Sequence, residues 1–135
     1  MPVTVTRFEG ESIILATFSG NVTASDMSEM FRLSAELIGE GEKKVHRITD
    51  ARTATSNFVE MLTSIKEAST GQPGSTTDPR IQATFVGTST WISFARNALM
   101  NPKFGGLKLA AFETIEDALS SIRIQISAEE RSNAS

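Results

Sequence analysis

Arg80-Ile81-Gln82-Ala83-Thr84-Phe85-Val86-Gly87-Thr88-Ser89-Thr90-Trp91-Ile92-Ser93-Phe94-Ala95 decides the fold. Its first half alternates: Ile81, Ala83 and Phe85 share one side of an extended chain, and Gln82 and Thr84 take the other. A period of two is that of a strand. At Gly87 the pattern changes. Ser89 or Thr90 is a ready N-cap, its side-chain oxygen meeting a free backbone N–H. Beyond it Trp91, Phe94, Ala95, Ala98 and Leu99 recur at helical spacing until Asn101-Pro102 stops the run. A strand that turns within three residues into a helix is half of a βαβ unit.

The pattern repeats on both sides. Leu107 to Phe112 reads as a fifth strand, and Thr114 with Asp117 as a capping box opening a last helix through Ile115, Ala118, Leu119, Ile122 and Ile126. Residues 127–135 are polar and are expected to form a flexible tail. Upstream, Gly71 to Pro79 is loop-like, with two glycines and two prolines. It follows a second helix that carries Phe58, Met61, Leu62 and Ile65 on one stripe, with Ser56 or Asn57 as its cap. Lys44 to Asp50 is a third strand followed by a polar turn. A first helix, with Thr23 and Asp26 as its capping box, holds Met27, Met30, Phe31, Leu37 and Ile38, and Gly39 and Gly41 end it. Val3 to Phe8 and Ser12 to Phe18 form an opening hairpin across Glu9-Gly10-Glu11, with Gly20-Asn21 as the break after it.

Helices between strands imply crossover connections and a largely parallel sheet, made mixed by the hairpin. The fold class is therefore α/β with a mixed five-stranded sheet. Parallel sheets covered on both faces are apolar on both. Here Gln82 and Thr84, Lys108, and Thr4 and Thr6 make one face partly polar, so the helices are expected mainly on one face.

Composition narrows the function. The 135 residues suit one domain, and 39% hydrophobic with 21% charged residues is ordinary for a globular chain. The net charge of −3, with scattered basic residues, disfavours a nucleic-acid partner. There are no cysteines, which removes disulfides and thiolate chemistry and fits a reducing cytoplasm. The longest apolar runs, such as Ile13-Ile14-Leu15-Ala16, are strand-sized, so no membrane insertion is expected. No basic region precedes an apolar stretch at the amino terminus, so no secretory leader is expected, and the location is read as cytoplasmic.

Several stretches resemble the SpoIIAA-like (STAS) family in order and spacing. Gly20-Asn21-Val22-Thr23-Ala24-Ser25-Asp26-Met27 looks like its approach to the first helix, and Val45-His46-Arg47-Ile48-Thr49-Asp50-Ala51-Arg52 like its central strand. Ala83-Thr84-Phe85-Val86-Gly87 with Trp91 is similar to its fourth strand and third helix. Phe112-Glu113-Thr114-Ile115-Glu116-Asp117-Ala118-Leu119 resembles its closing strand-to-helix step. The resemblance spans roughly residues 3 to 126 and implies one SpoIIAA-like domain over residues 1–126. It also implies a non-catalytic regulatory or protein-interaction module. In the best-known members, antagonists of anti-sigma factors, a serine opening the second helix is a phosphorylation switch within an Asp-Ser-Ser-Gly run. Ser56 stands nearest, in Thr55-Ser56-Asn57-Phe58.

Each candidate residue carries a functional and a structural reading. Ser56 is a phospho-switch, since a helix N-terminus favours negative charge, or a plain cap. Asp50 and Arg52 end a strand at the edge where α/β sheets bind ligands, or pair with each other. Gly87-Thr88-Ser89-Thr90 is an anion cradle on backbone amides, or, through Ser89, a cap. Trp91 and Phe94, with Phe58, Met61 and Phe104, line an apolar pocket or belong to the core. His46 is the only histidine, and Asp26, Asp50 and Asp78 lack metal-site spacing, so no metal or cofactor is expected. No Gly-x-Ser-x-Gly elbow is present, and no catalytic residue is assigned.

Two readings of function follow. An interaction module would meet another protein, or its own copy as a homodimer, through the sheet edge or the half-polar face, burying above about 1,000 Å². A small-molecule or lipid-binding domain would hold a cavity of several hundred Å³ between the second and third helices and the sheet. Trp91 or Phe94 would stand in its wall.

Overall fold

The hairpin and the strand–helix alternation appear in order in the computed structural model, which describes residues 3–134. Strands β1 (Val3–Arg7), β2 (Ile13–Asn21), β3 (Val45–Thr55), β4 (Ile81–Val86) and β5 (Ala110–Phe112) form one sheet in the order β1-β2-β3-β4-β5. β1 pairs antiparallel to β2, and every later pair is parallel. Between them lie helices α1 (Ala24–Leu37), α2 (Phe58–Ala68) and α3 (Thr90–Met100), and α4 (Ile115–Ala134) closes the chain. This is a mixed five-stranded α/β sheet with four helices.

The strand order explains where the helices sit. From β2 to β5 the chain steps one strand at a time in the same direction. Crossovers of a single hand in a single direction must all land on one face. Accordingly α1, α2 and α3 bury Met30, Phe31, Ile65, Ala68 and Leu99 in one cluster with Ile14, Ala16, Val45, Ile81 and Ala83 of the sheet. α4 follows β5 and is free of that constraint. It packs Ala118 and Ile122 on Ile13, Ile48 and Val86 of the opposite face. That face alternates Ile48 and Val86 with His46, Asp50, Gln82 and Thr84, which is the half-polar pattern expected. One helix suffices to cover its apolar part.

Three boundaries depart from the sequence reading. β3 runs past Asp50 to Thr55, where a polar turn was expected, and β2 continues through Gly20-Asn21. Ser19, Gly20 and Asn21 pair with Thr53, Ala54 and Thr55 beyond a bulge, and the Val22 amide donates to the Thr55 carbonyl at 2.7 Å. Ladder hydrogen bonds need no apolar side chains, so composition missed them. β5 is shorter than expected because Leu107 and Leu109 engage α3 instead: the Leu107 amide donates to the Leu99 carbonyl, and the Arg96 guanidinium donates to the Leu109 carbonyl at 2.7 and 3.0 Å. Residues 127–134, expected to form a flexible tail, are helical. α4 continues through Ser127 to Ala134, with Ile126 still packed on its cluster and Glu129 paired to Lys44 at 2.6 Å. Residues 1, 2 and 135 lie outside the described residues.

The loop after α2 is fixed by Arg47. This arginine is fully buried, on the parity of Val45, and lies 5.6 Å over the Phe31 ring. It donates to the Gly74 carbonyl, to Ser34 Oγ at 3.3 Å and to Thr76 Oγ1 at 3.1 Å. Burial lowers its pKa to about 10, with Asp78 opposing that shift. Asp78 in turn accepts from the Gly74 amide at 2.8 Å and pairs with Arg80 at 2.8 Å. A buried guanidinium persists only where such partners replace water.

Candidate functional site

The C-terminal ends of β3 and β4, with the first turns of α2 and α3, bring together five of the six residues singled out from sequence. Asp50, nearly buried, accepts from Arg52 Nε and Nη2, both at 3.0 Å, and from the Arg52 amide at 3.2 Å. The hydrogen bonds from Arg52 to Asp50 raise the guanidinium pKa above its ordinary value. This bidentate geometry pairs the two groups, while the Arg52 side chain stays 43% exposed. Arg52 also borders a shallow polar cleft with Gly87, Thr88, Ser89 and Glu113. Ser89 is the cap of α3: its Oγ accepts from the Ile92 amide at 3.3 Å.

Ser56 does not cap α2. Asn57 does, its side chain accepting from the Glu60 amide at 2.9 Å. The Ser56 hydroxyl instead donates to the Val22 carbonyl at 2.8 Å, tying the end of β3 to the approach to α1. Glu60 reinforces that join, accepting from the Ala24 amide at 2.6 Å. The amino ends of α1 and α2 are thus locked together by side chains. At α1 itself the expected capping box is complete, Thr23 and Asp26 each meeting the other's backbone N–H.

Trp91 stands in the wall of an apolar cleft between α2, α3 and the sheet, with Phe18, Val22, Met61, Phe85 and Ile92. The cleft holds only about 70 Å³. Phe94 lies outside it. Its ring meets Phe58 edge-on, centroids 5.8 Å apart at 61°. Phe58 was expected on the buried stripe of the second helix, and this is corrected: it is 58% exposed, and Val59 beside it is 69% exposed. The buried stripe is Met61, Ser64, Ile65 and Ala68. Phe58 is one turn before Met61, at the overhanging end of the helix. Its spacing from Met61 and Ile65 is helical, so nothing in the sequence pattern marked it as exposed.

His46 is buried facing α4, and neither ring nitrogen has a hydrogen-bond partner among the described residues. Burial lowers its pKa, and Lys44 adds to that while Glu129 opposes it. Among the described residues no group of three or more His, Cys, Asp or Glu is placed to hold a metal ion. No helix among them is long and apolar enough to cross a membrane.

A mixed sheet opened by a hairpin, with three crossover helices on one face and a closing helix on the other, is a SpoIIAA-like fold. A solved structure with that fold is an uncharacterised protein of the DUF3478 family from Shewanella loihica PV-4. It matches at a TM-score of 0.57 with 16% identity, over 87% of this chain and 90% of that one. No protein-family model and no curated protein matches the sequence.

Proposed function

We propose that this chain is a non-catalytic interaction module of the STAS type, and that it docks a protein partner on the surface formed by the first turns of α2 and α3. The observation that carries this reading is the exposure of Phe58 and Val59 next to Phe94. Adjoining exposed large apolar side chains mark contact surfaces more often than accidents of folding. The neighbouring polar groups favour binding over chemistry. Asp50 and Arg52 are closed on each other, Ser89 is committed to a cap, and the Ser56 hydroxyl is committed to a carbonyl. A general acid, base or nucleophile needs a group free to meet substrate.

The second reading, a small apolar ligand beside Trp91, rests on the cleft. Its 70 Å³ is well below the roughly 300 Å³ at which small-molecule sites begin. The magnitude therefore favours the surface over the cavity. Native mass spectrometry of protein purified from its own host separates the two readings. A retained protein that Phe58→Asp releases is the expected result. A stoichiometric small molecule, with no protein partner retained, would overturn it.

A further inference from the structure

On the opposite side of the sheet, α4 is the lone covering helix, and its outward stripe has an internal symmetry. Glu116, Leu119, Ser120, Arg123, Ile124, Ser127 and Arg131 line a single groove along it. All but Leu119 pair by number about a point between residues 123 and 124: Glu116 with Arg131, Ser120 with Ser127, Arg123 with Ile124. Ile124 is 66% exposed. Arg123 is held back toward the sheet by Glu11, at 2.9 and 3.0 Å. Among the described residues no ion pair joins Arg131 or Glu116 to another side chain within the chain.

We infer that this stripe is a self-docking surface, on which α4 of a second copy of the chain lies antiparallel about a two-fold axis between Arg123 and Ile124. A two-fold interface demands that the same patch complement itself, and this stripe does. Antiparallel docking sets Glu116 of each copy against Arg131 of the other. It places Ser120 against Ser127, small side chains that let the helices approach closely, and brings the two Ile124 side chains together beside the axis. Within one chain Glu116 and Arg131 stand about 22 Å apart along the helix and cannot pair. Within the chain Glu116 is attracted to Arg52, and the Glu116–Arg131 pair itself forms only between copies. A single helix pair lies at the small end of stable interfaces, so the dimer is concentration-dependent. The surface lies on the other sheet face from Phe58 and Val59 and does not depend on what binds there.

Sedimentation equilibrium of the whole chain across a concentration series tests the inference. The expected result is a reversible monomer–dimer equilibrium that weakens with salt. Glu116→Arg and Arg131→Glu, each alone, weaken association by about tenfold, since each reversal turns two attractions into two repulsions. The double reversal restores it, and Ile124→Asp abolishes it with unchanged circular dichroism. A monomer at every concentration would overturn the inference, as would a dimer indifferent to the single reversals or one the double reversal fails to rescue. If Phe58→Asp still releases a partner from a monomeric chain, only this dimer is lost and the proposed docking surface stands.

Discussion

Gly74 is the position where the backbone leaves least room, and its replacement by alanine is the sharpest test of how the loop after α2 is held. Its φ is +81°, a region that costs an L residue about 1 kcal/mol. A Cβ there would also sit 1.9 Å from the Phe31 carbonyl oxygen and 3.0 Å from the Ala35 amide nitrogen. Relieving such overlap with backbone typically costs about 1–3 kcal/mol. Gly74→Ala should therefore lose about 2–4 kcal/mol, a fall in melting temperature on the order of 10 °C. The shift would also pull the Gly74 carbonyl from Arg47 and its amide from Asp78. Gly10 is the control: its φ is +74°, and an added Cβ meets nothing within 4 Å. Gly10→Ala should cost only the conformational part, about 1 kcal/mol. Urea denaturation of the two variants beside the wild type measures both. If Gly74→Ala loses no more than Gly10→Ala, the close packing of this loop on α1 is wrong, and with it the account of Arg47.

Further outcomes are expected at other positions. His46 has its folded pKa below its unfolded one, so the unfolded chain takes up the proton first. Above about pH 7 the residue is silent, and stability falls as pH drops below the unfolded value near 6.5. Chemical denaturation at pH 7 and 5.5 should show that loss in the wild type and less of it in His46→Gln; an equal loss in both would remove His46 as its source. At lower pH the carboxylates take over: Glu42 beside Arg7 and Asp78 beside Arg80 have pKa values of about 2, so their contributions are present above the ordinary carboxylate range and are lost as pH falls toward 2. Asn57→Ala should cost about 1 kcal/mol as a lost cap and Asn57→Asp almost nothing, whereas similar losses would mean that α2 is capped otherwise. Trp91 is the only tryptophan, and titration with a long-chain fatty acid should leave its emission unchanged. A saturable blue shift would instead show that the cleft opens to take the chain.

How much of this was legible depended on whether side chains or backbone settled the outcome. Ile81, Ala83 and Phe85 against Gln82 and Thr84 told strand and face correctly because burial acts on side chains, and the cluster memberships follow that parity. The Thr23–Asp26 box and the Ser89 cap were readable because a cap is a local exchange between a side chain and an amide a few residues away. The pairing of Gly20 and Asn21 with Ala54 and Thr55 was not, because it joins backbones far apart in sequence whatever residues they carry. Arg47 was hidden for the same reason. Its partners come from two other parts of the chain, Ser34 from α1 and Gly74 and Thr76 from the loop after α2, and only the fold gathers them. On sequence alone it read as one more residue of the central-strand stretch Val45 to Arg52.

The candidate site shows the same division, and it bears on function. Asp50, Arg52, Ser56 and Ser89 were chosen because their chemistry suits ligands, yet the structure gives each a partner within the protein. Polar groups at the end of a parallel sheet must be satisfied by something, and here the satisfaction is internal. What remains unsatisfied at this end is apolar area, on Phe58 and Val59. Water meets a free carboxylate well and an exposed apolar side chain poorly, so the free energy still available at this edge lies in removing those side chains from water. Fully covering Phe58 and Val59 is worth about 1.5–3 kcal/mol each, and the part still exposed a proportionate share of that. That is enough to anchor a partner whose remaining contacts fall on the surrounding polar rim.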